Sequence, residues 1–251
     1  MTLLSRFKLL LKQYHCPVCQ TNVEGFEPIS PYYVDTANSH DFIYSFKDFE
    51  TLNLEHYTCP NCKSSDRDRL YALFFSQLHK TTPVSSMLDF APAKAIEAFL
   101  RSLVGKGYRS TDLNRKDVDD SGVNIEDMSC YADNSFDFII CSHILEHVAS
   151  PKLAVSELNR VLKVGSKAII MVPIMTTIEN DTEDPAHVTE SSRWKHYGQD
   201  DHVRMFSKNG FTELLKSAGF QVSLLTKPYF ENSNFEKLGI DTKSVLYVVT
   251  K

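Results

Sequence analysis

His143, Glu146 and His147 stand at i, i+3 and i+4 in the run Ser142-His143-Ile144-Leu145-Glu146-His147. If this run opens a helix, the three side chains share one face. Imidazoles and a carboxylate gathered in that way have three uses. They can brace neighbouring loops, with His143 capping the helix. One histidine can serve as a general base, because imidazole changes charge near neutral pH. The group can also bind a divalent metal. A second constellation lies far upstream. Cys16-Pro17-Val18-Cys19 and Cys59-Pro60-Asn61-Cys62 are two knuckles of one form. Four thiolates close a tetrahedral zinc shell when each pair sits on a tight turn, and proline suits such a turn. The alternatives are redox dithiols or unrelated turn cysteines, and no thioredoxin-like strand–helix context accompanies the pairs. A zinc ribbon of this kind contributes on the order of 10 kcal/mol to folding. No catalytic role is assigned to it.

The elements that must position these residues follow from the apolar pattern. The chain has 251 residues, 42% hydrophobic and 24% charged. That is enough for one α/β core and a small appendage. Residues 3–11 read as a short amphipathic helix and not as a signal peptide, because Arg6 and Lys8 interrupt them. No apolar run reaches the length of a membrane span. Two domains are expected, 1–65 with the N-terminal helix and zinc ribbon, and 66–251. The 39 residues between the cysteine pairs are rich in aromatics and suggest an extended hairpin packed on the next domain. A helix over 66–80, capped by Asp66 or Asp68, links the two parts. Strands are expected near 86–90, 108–112, 123–125, 136–141, 167–172, 220–225 and 245–250. Helices are expected over 94–103, 153–162 and 207–218, with another beginning just after the fourth strand. Such alternation implies a doubly wound, mostly parallel sheet, closed by an antiparallel hairpin.

The run Phe136-Asp137-Phe138-Ile139-Ile140-Cys141-Ser142-His143-Ile144-Leu145-Glu146-His147, followed by Glu157-Leu158-Asn159-Arg160-Val161-Leu162-Lys163-Val164-Gly165, resembles the middle of class I S-adenosylmethionine-dependent methyltransferases. The resemblance covers roughly residues 84–225, and the chain looks like a methyltransferase type 11 member with an N-terminal four-cysteine zinc ribbon. It implies a Rossmann-like, seven-stranded sheet with S-adenosylmethionine at the carboxyl ends of the strands. Cofactor-binding residues carried over on this basis are Asp89, Phe90, Ala91 and Pro92 after the first strand, and Asp112 and Leu113 after the second. Asp112 would accept from the ribose hydroxyls, or serve as a turn residue. Asp127 and Met128 would meet the adenine, Met128 packing on the ring. Cys141 and Ser142 would lie beside the methionine portion, and Cys130 would pack near the adenine pocket. The family usually places glycines where this chain has Ala91 and Ala93, a departure that also fits a decayed cofactor site.

The spacing of His143, Glu146 and His147 also resembles the Glu-x-x-Glu-His metal motif of small-RNA 2′-O-methyltransferases and ubiquinone-pathway O-methyltransferases, with His143 in place of the first Glu. A second divalent metal at His143, Glu146, His147 and His202 is therefore one reading. The long connection 174–204 is the expected lid and acceptor-binding element. Asp201 and His202 are placed near the acceptor, so that His143, His147, Asp201 and His202 form the candidate catalytic set. Arg204 would orient an anionic group or anchor the lid. Trp194 would stack on a sugar or base, or pin the lid to the ribbon.

The net charge is −5, with −2 over the first 65 residues and −3 over the rest. Between Cys16 and Cys62 the only Lys or Arg is Lys47. This disfavours an extended RNA or DNA substrate while leaving room for a small basic groove. The expected function is O-methylation of a small-molecule or glycan-like hydroxyl with a histidine base, in the cytoplasm, where thiols stay reduced. Two rivals stand beside it: an RNA methyltransferase whose ribbon grips the substrate, and a catalytically inactive binding protein of the same fold.

Overall fold

A computed structural model describes residues 13–231 and 233–251; the helix expected over 3–11 lies outside them. Two antiparallel strands, β1 (Tyr14–Cys16) and β2 (Thr21–Val23), carry the first cysteine pair at their turn. Each knuckle closes alike: the Gln20 amide donates to the Cys16 carbonyl and the Lys63 amide to the Cys59 carbonyl. Gln20 and Lys63, each just after the second cysteine of its pair, both take positive φ. The expected hairpin between the pairs does not form. One bridge, Glu27 to Thr58, closes the base of this segment. Above it lie helix α1 (Pro31–Ser39) and a 3₁₀ turn at Phe46–Asp48. The aromatics find burial against another part of the chain instead of across a ladder. Phe49, with Phe42, Tyr44 and Phe46 beside it, forms a small core with Met175, Tyr197 and Met205.

Helix α2 (Asp66–Thr81) is capped by Ser65, not by the two aspartates. Ser65 Oγ accepts from the Asp68 amide, and the Asp68 carboxylate accepts in return from the Ser65 amide, a reciprocal capping box. Beyond it come β3 (Met87–Phe90), α3 (Lys94–Val104), β4 (Tyr108–Asp112), β5 (Asp120–Ser121), β6 (Phe136–Ser142), α4 (Pro151–Val161), β7 (Leu162–Met171), α5 (Glu190–Tyr197), α6 (Lys208–Ser217), β8 (Gln221–Leu225) and β9 (Leu246–Thr250). The sheet order is β5-β4-β3-β6-β7-β9-β8. The first five strands in that order pair in parallel, and β9 runs antiparallel between β7 and β8. This is the doubly wound, Rossmann-like, seven-stranded methyltransferase sheet. The chain leaves β3 toward β4 and β5, then returns to the other side of β3 with β6. A crevice therefore opens at the carboxyl ends of β3 and β6. Cys16, Val18, Val23, Phe26 and Cys59 join the same apolar core as the sheet.

Two expected elements differ in the structure. The third strand is not 123–125 but Asp120–Ser121, paired with Thr111 and Asp112. Arg109 and Tyr131 both bond the Asp120 carboxylate and hold it to the edge, and Gly122, at φ +82°, turns the chain out of the ladder. No helix begins after β6. His143 has φ +57°, a left-handed conformation that a right-handed helix excludes. The following residues form a turn, and α4 starts only at Pro151, where Ser150 accepts from the Leu153 amide.

Candidate active site

Two adjoining clefts lie at the carboxyl ends of β3, β4 and β6. The first, about 510 Å³, is lined by Phe90, Ala91, Thr111, Asp112, Leu113 and Asn124–Glu126, and its far wall carries His143, His147 and Asp201. The second, about 210 Å³, shares Phe90, Ala91, His143 and Ile144 with it and continues past Pro92, Tyr71 and Ser142 to Arg67. Ala91 takes φ +47° at their junction, so the tight turn that glycine usually makes is held here by the smallest side chain with a Cβ. Asp112 Oδ1 accepts from the Asn114 and Arg115 amides, which shapes the turn at the rim.

The remaining expected cofactor residues divide: Asp89 and Ser142 line the second cleft, whereas Asp127, Met128 and Cys141 line neither of the two. Asp89 is buried beneath the second cleft, where Tyr108 donates to Oδ2 at 2.7 Å. Burial pushes its carboxyl up to about 8 despite that bond. Asp127 is exposed and Met128 is wholly buried, and neither lines the first cleft. Met128 is fixed away from it because its amide donates to Glu157 and its carbonyl accepts from Arg160. Asn124, Ile125 and Glu126 occupy the wall instead. Cys141 is buried in β6, its thiol pushed well up by burial, and Ser142 Oγ lies 2.8 Å from the Tyr71 hydroxyl. Cys130 is exposed on a surface near Arg109 and Asp120, not packed near the first cleft, and its neighbour Tyr131, half-buried, packs edge-on against Phe136 in its place.

The histidine–carboxylate group is brought together by tertiary contacts. Glu146 is 1% exposed, and neither of its oxygens has a hydrogen bond of good geometry. His147 Nε2 lies 3.9 Å and His202 Nε2 4.0 Å from Glu146 Oε1. The opposite nitrogens of both rings face acceptors: His202 Nδ1 is 3.2 Å from the Tyr197 carbonyl, and His147 Nδ1 is 3.3 Å from the Asp201 carbonyl. A proton on each Nδ1 leaves both Nε2 lone pairs turned toward the Glu146 carboxylate. The three electron-rich atoms lie within 4.8 Å of one another, a chemical set suited to a divalent cation that would draw them inward to the ~2.1 Å typical of imidazole and carboxylate ligands. His143 plays another part. Arg67 Nη1 lies 2.6 Å from its Nε2, and its Nδ1 is 3.2 Å from Glu146 Oε1. Burial first, and then the Arg67 charge, drive the His143 pKa down to about 4. The ring is thus neutral, accepting from Arg67 and facing Glu146 with Nδ1. Burial opposes ionisation of Glu146, but the surrounding imidazoles, His143 foremost, hold its pKa below the ordinary range.

A third cleft, about 250 Å³, opens on the other side of this group. It shares His143 and His147 with the first cleft and Arg67 with the second. The lid after β7 forms part of its wall. Arg204, 2% exposed, donates to the carbonyls of Leu145, Val148 and Ala149 and to Glu183, so it anchors both the lid and the turn that carries Glu146 and His147. Trp194 is buried, stacks on His40 and meets Tyr32 edge-on, which pins the lid to the segment between the cysteine pairs. Asp201 lies at the first cleft, while His202 is buried at the third.

Away from these clefts, Cys16, Cys19, Cys59 and Cys62 place their sulfurs within 4.8 Å of one another, with Cys16–Cys62 at 3.7 Å and Cys19–Cys59 at 3.9 Å. Tetrahedral zinc with Zn–S bonds of about 2.3 Å requires edges of about 3.8 Å. Burial pushes the Cys16 thiol up to about 12, so its thiolate calls for a cation at the centre. Four residues of the site escape the sequence pattern: Arg67, Tyr71, Asn124 and Ile125. One signal for Arg67 was present. Asp66-Arg67-Asp68-Arg69 is a dense charge cluster at the head of a helix whose other residues are largely apolar.

A family model described as a methyltransferase domain matches residues 59–225, more than half of the chain. No curated protein matches. Among solved structures, an S-adenosylmethionine-dependent methyltransferase from Archaeoglobus fulgidus is 15% identical, covering 76% of this chain and 96% of its own, with TM-score 0.45. A putative methyltransferase from Bacillus halodurans is 19% identical, covering 70% and 93%, with TM-score 0.40. A 1,6-didemethyltoxoflavin N1-methyltransferase from Burkholderia thailandensis, solved with 1,6-didemethyltoxoflavin and S-adenosylhomocysteine, is 13% identical, covering 70% of this chain and 73% of its own, with TM-score 0.42. The domain match, laid over a seven-stranded sheet whose carboxyl edge opens into adjoining clefts, makes this chain a member of the S-adenosylmethionine-dependent methyltransferases.

Proposed function

We propose that the chain methylates a hydroxyl group, with the acceptor oxygen presented at Glu146, His147 and His202 and the methyl donor lying in the first two clefts. The observation that carries this reading is the buried Glu146 carboxylate, which makes no ion pair with Lys or Arg among the described residues and is faced by the Nε2 atoms of His147 and His202 where the clefts meet. A divalent ion held by these three groups would orient the acceptor oxygen and lower its pKa. The imidazole pair favours a transition-metal ion over magnesium. Asp112, on the rim of the larger cleft, suits the ribose hydroxyls, and Asn124 to Glu126 suit the adenine edge. Arg67 makes no ion pair among the described residues and reaches the far end of the second cleft, so it suits the carboxylate of the methionine portion. Bound S-adenosylmethionine supplies an electrophilic methyl on a sulfonium. The residues around it align donor and acceptor and exclude water. The cysteine cluster suits structural zinc, and four reduced thiols suit a cytoplasmic setting.

The test is calorimetric titration with S-adenosylhomocysteine, paired with metal analysis of wild-type and Glu146→Gln protein. Micromolar binding that weakens in Asp112→Ala, together with a second metal equivalent absent from Glu146→Gln, is the expected result. Binding without a second metal would favour His147 as a metal-free general base, since it lines both the first and third clefts. No binding by folded protein would end the enzyme reading.

A further inference from the structure

The third cleft draws much of its wall from the segment between the two cysteine pairs. Ile29, Tyr33, Phe46, Phe49, Leu52 and Tyr57 line it, opposite Pro173 and Ile174 at the end of β7 and Tyr197 of α5. We propose that this segment is the acceptor-recognition wall and that it selects a compact hydroxylated ring. The inference rests on the methyltransferase reading above and deepens it by naming the acceptor's chemistry.

Size sets the first limit. A cavity of ~150 Å³ accommodates benzene, so about 250 Å³ takes one substituted ring at a time. Lining chemistry sets the second. Aromatic and aliphatic side chains make up the share of the wall given by the inter-cysteine segment, the polar groups gather on the side of Arg67 and Glu146, and two other polar groups of the lining are already engaged. Tyr247 donates to Glu50, and Thr51 bonds both the carbonyl and the amide of Val245. Such a surface receives the flat face of a ring through its carbon skeleton. The ring hydroxyl is left to point at the Glu146 group on the cleft floor.

The wall is also held firmly. Arg69 is fully buried and donates to the carbonyls of His56, Tyr57 and Ser64 on the knuckle side and of Leu238 and Gly239 on the other. The Asp66 carboxylate accepts from the Asn53 amide, and the Glu50 amide donates to the Ile174 carbonyl. The second knuckle therefore connects directly to the wall, two residues beyond Tyr57. A phenolic ring and a pyranose share the required shape, and the experiment separates them.

Full-length, zinc-loaded protein saturated with S-adenosylhomocysteine would be examined by saturation-transfer NMR, with catechol in one sample and methyl α-D-glucopyranoside in another. Transfer to one of the two probes is expected, and its identity assigns the ring type. In a Tyr33→Ala, Phe46→Ala double variant, both at partly exposed positions, transfer should fall at least fivefold. Zinc content and S-adenosylhomocysteine affinity should stay within twofold of wild type. Absence of transfer to either probe in protein that binds S-adenosylhomocysteine overturns the acceptor proposal alone, as does transfer that survives in the double variant. Failure of wild-type protein to bind S-adenosylhomocysteine overturns the methyltransferase reading and this inference with it.

Discussion

Among the described residues, two clusters of side chains have the composition of metal sites, and they are built on opposite plans. The four cysteines sit on two short turns, with Ser64 and Thr21 hydroxyls bonded to their sulfurs. Their four sulfurs would fill every position of a tetrahedral shell. Glu146, His147 and His202 supply three ligand atoms only, and the group faces two clefts. A closed shell stabilises, whereas an open one leaves a position for chemistry. The same contrast appears in burial cost. Cys16 lies in the common apolar core, while Glu146 is a buried carboxylate with imidazoles and no Lys or Arg around it among the described residues, a local cost of the kind found at functional sites.

The largest effect should come from breaking the closed shell. Cys59→Ser should lose zinc and destabilise the protein by on the order of several kcal/mol, read from metal content and a urea midpoint. Unchanged stability would mean that the cluster is not structural. Next comes Arg204→Met, which removes the anchor under the open group. It leaves the Leu145 and Val148 carbonyls unpaired and should cost about 3 kcal/mol by denaturant titration. Glu146→Gln should act on the opposite axis: affinity for added manganese or zinc at the second site should drop about hundredfold while the thermal midpoint holds or rises. A stability loss like that of the cysteine variant would erase the distinction between the two clusters.

Asp89 sharpens the comparison as a buried carboxylate of a different kind. Its folded pKa, about 8, lies above the ordinary aspartate value, so the folded state retains a proton that the unfolded chain releases. Its contribution is therefore fully present at low pH, below about 4, and is lost as pH rises toward 8. Asp89→Asn should flatten that slope in a series of urea melts. An unchanged slope would show that the group titrates normally. The smallest expected effect is at Ala91, where glycine relieves a left-handed alanine. Ala91→Gly should stabilise by about 1 kcal/mol without weakening S-adenosylhomocysteine binding.

Much of this was legible in order along the chain. Local signals mark the elements: buried apolar runs at β3, β6 and β7, and paired knuckles whose chemistry needs only four residues. The likeness of the run through Glu146 and His147 to known methyltransferases supplied the sheet type. A helix after β6 was the natural expectation from i, i+3, i+4 spacing, and it does not form. Periodicity cannot register a positive φ at His143 or the three carbonyls that Arg204 gathers from 55 or more residues away.

By itself, then, the sequence determined the alternating α/β order, the paired cysteine knuckles and the identity of the residues available for chemistry, because these depend on neighbours within a few positions. Tertiary structure alone decided which of them meet. His202 reaches Glu146 from the far end of the lid, Arg67 reaches His143 across 76 residues, and the aromatics between the knuckles become one wall of a cleft floored by the Glu146 group. Long-range meetings of this kind are set by how the chain crosses over in the sheet and by which apolar surfaces bury one another. Neither is written in any local spacing.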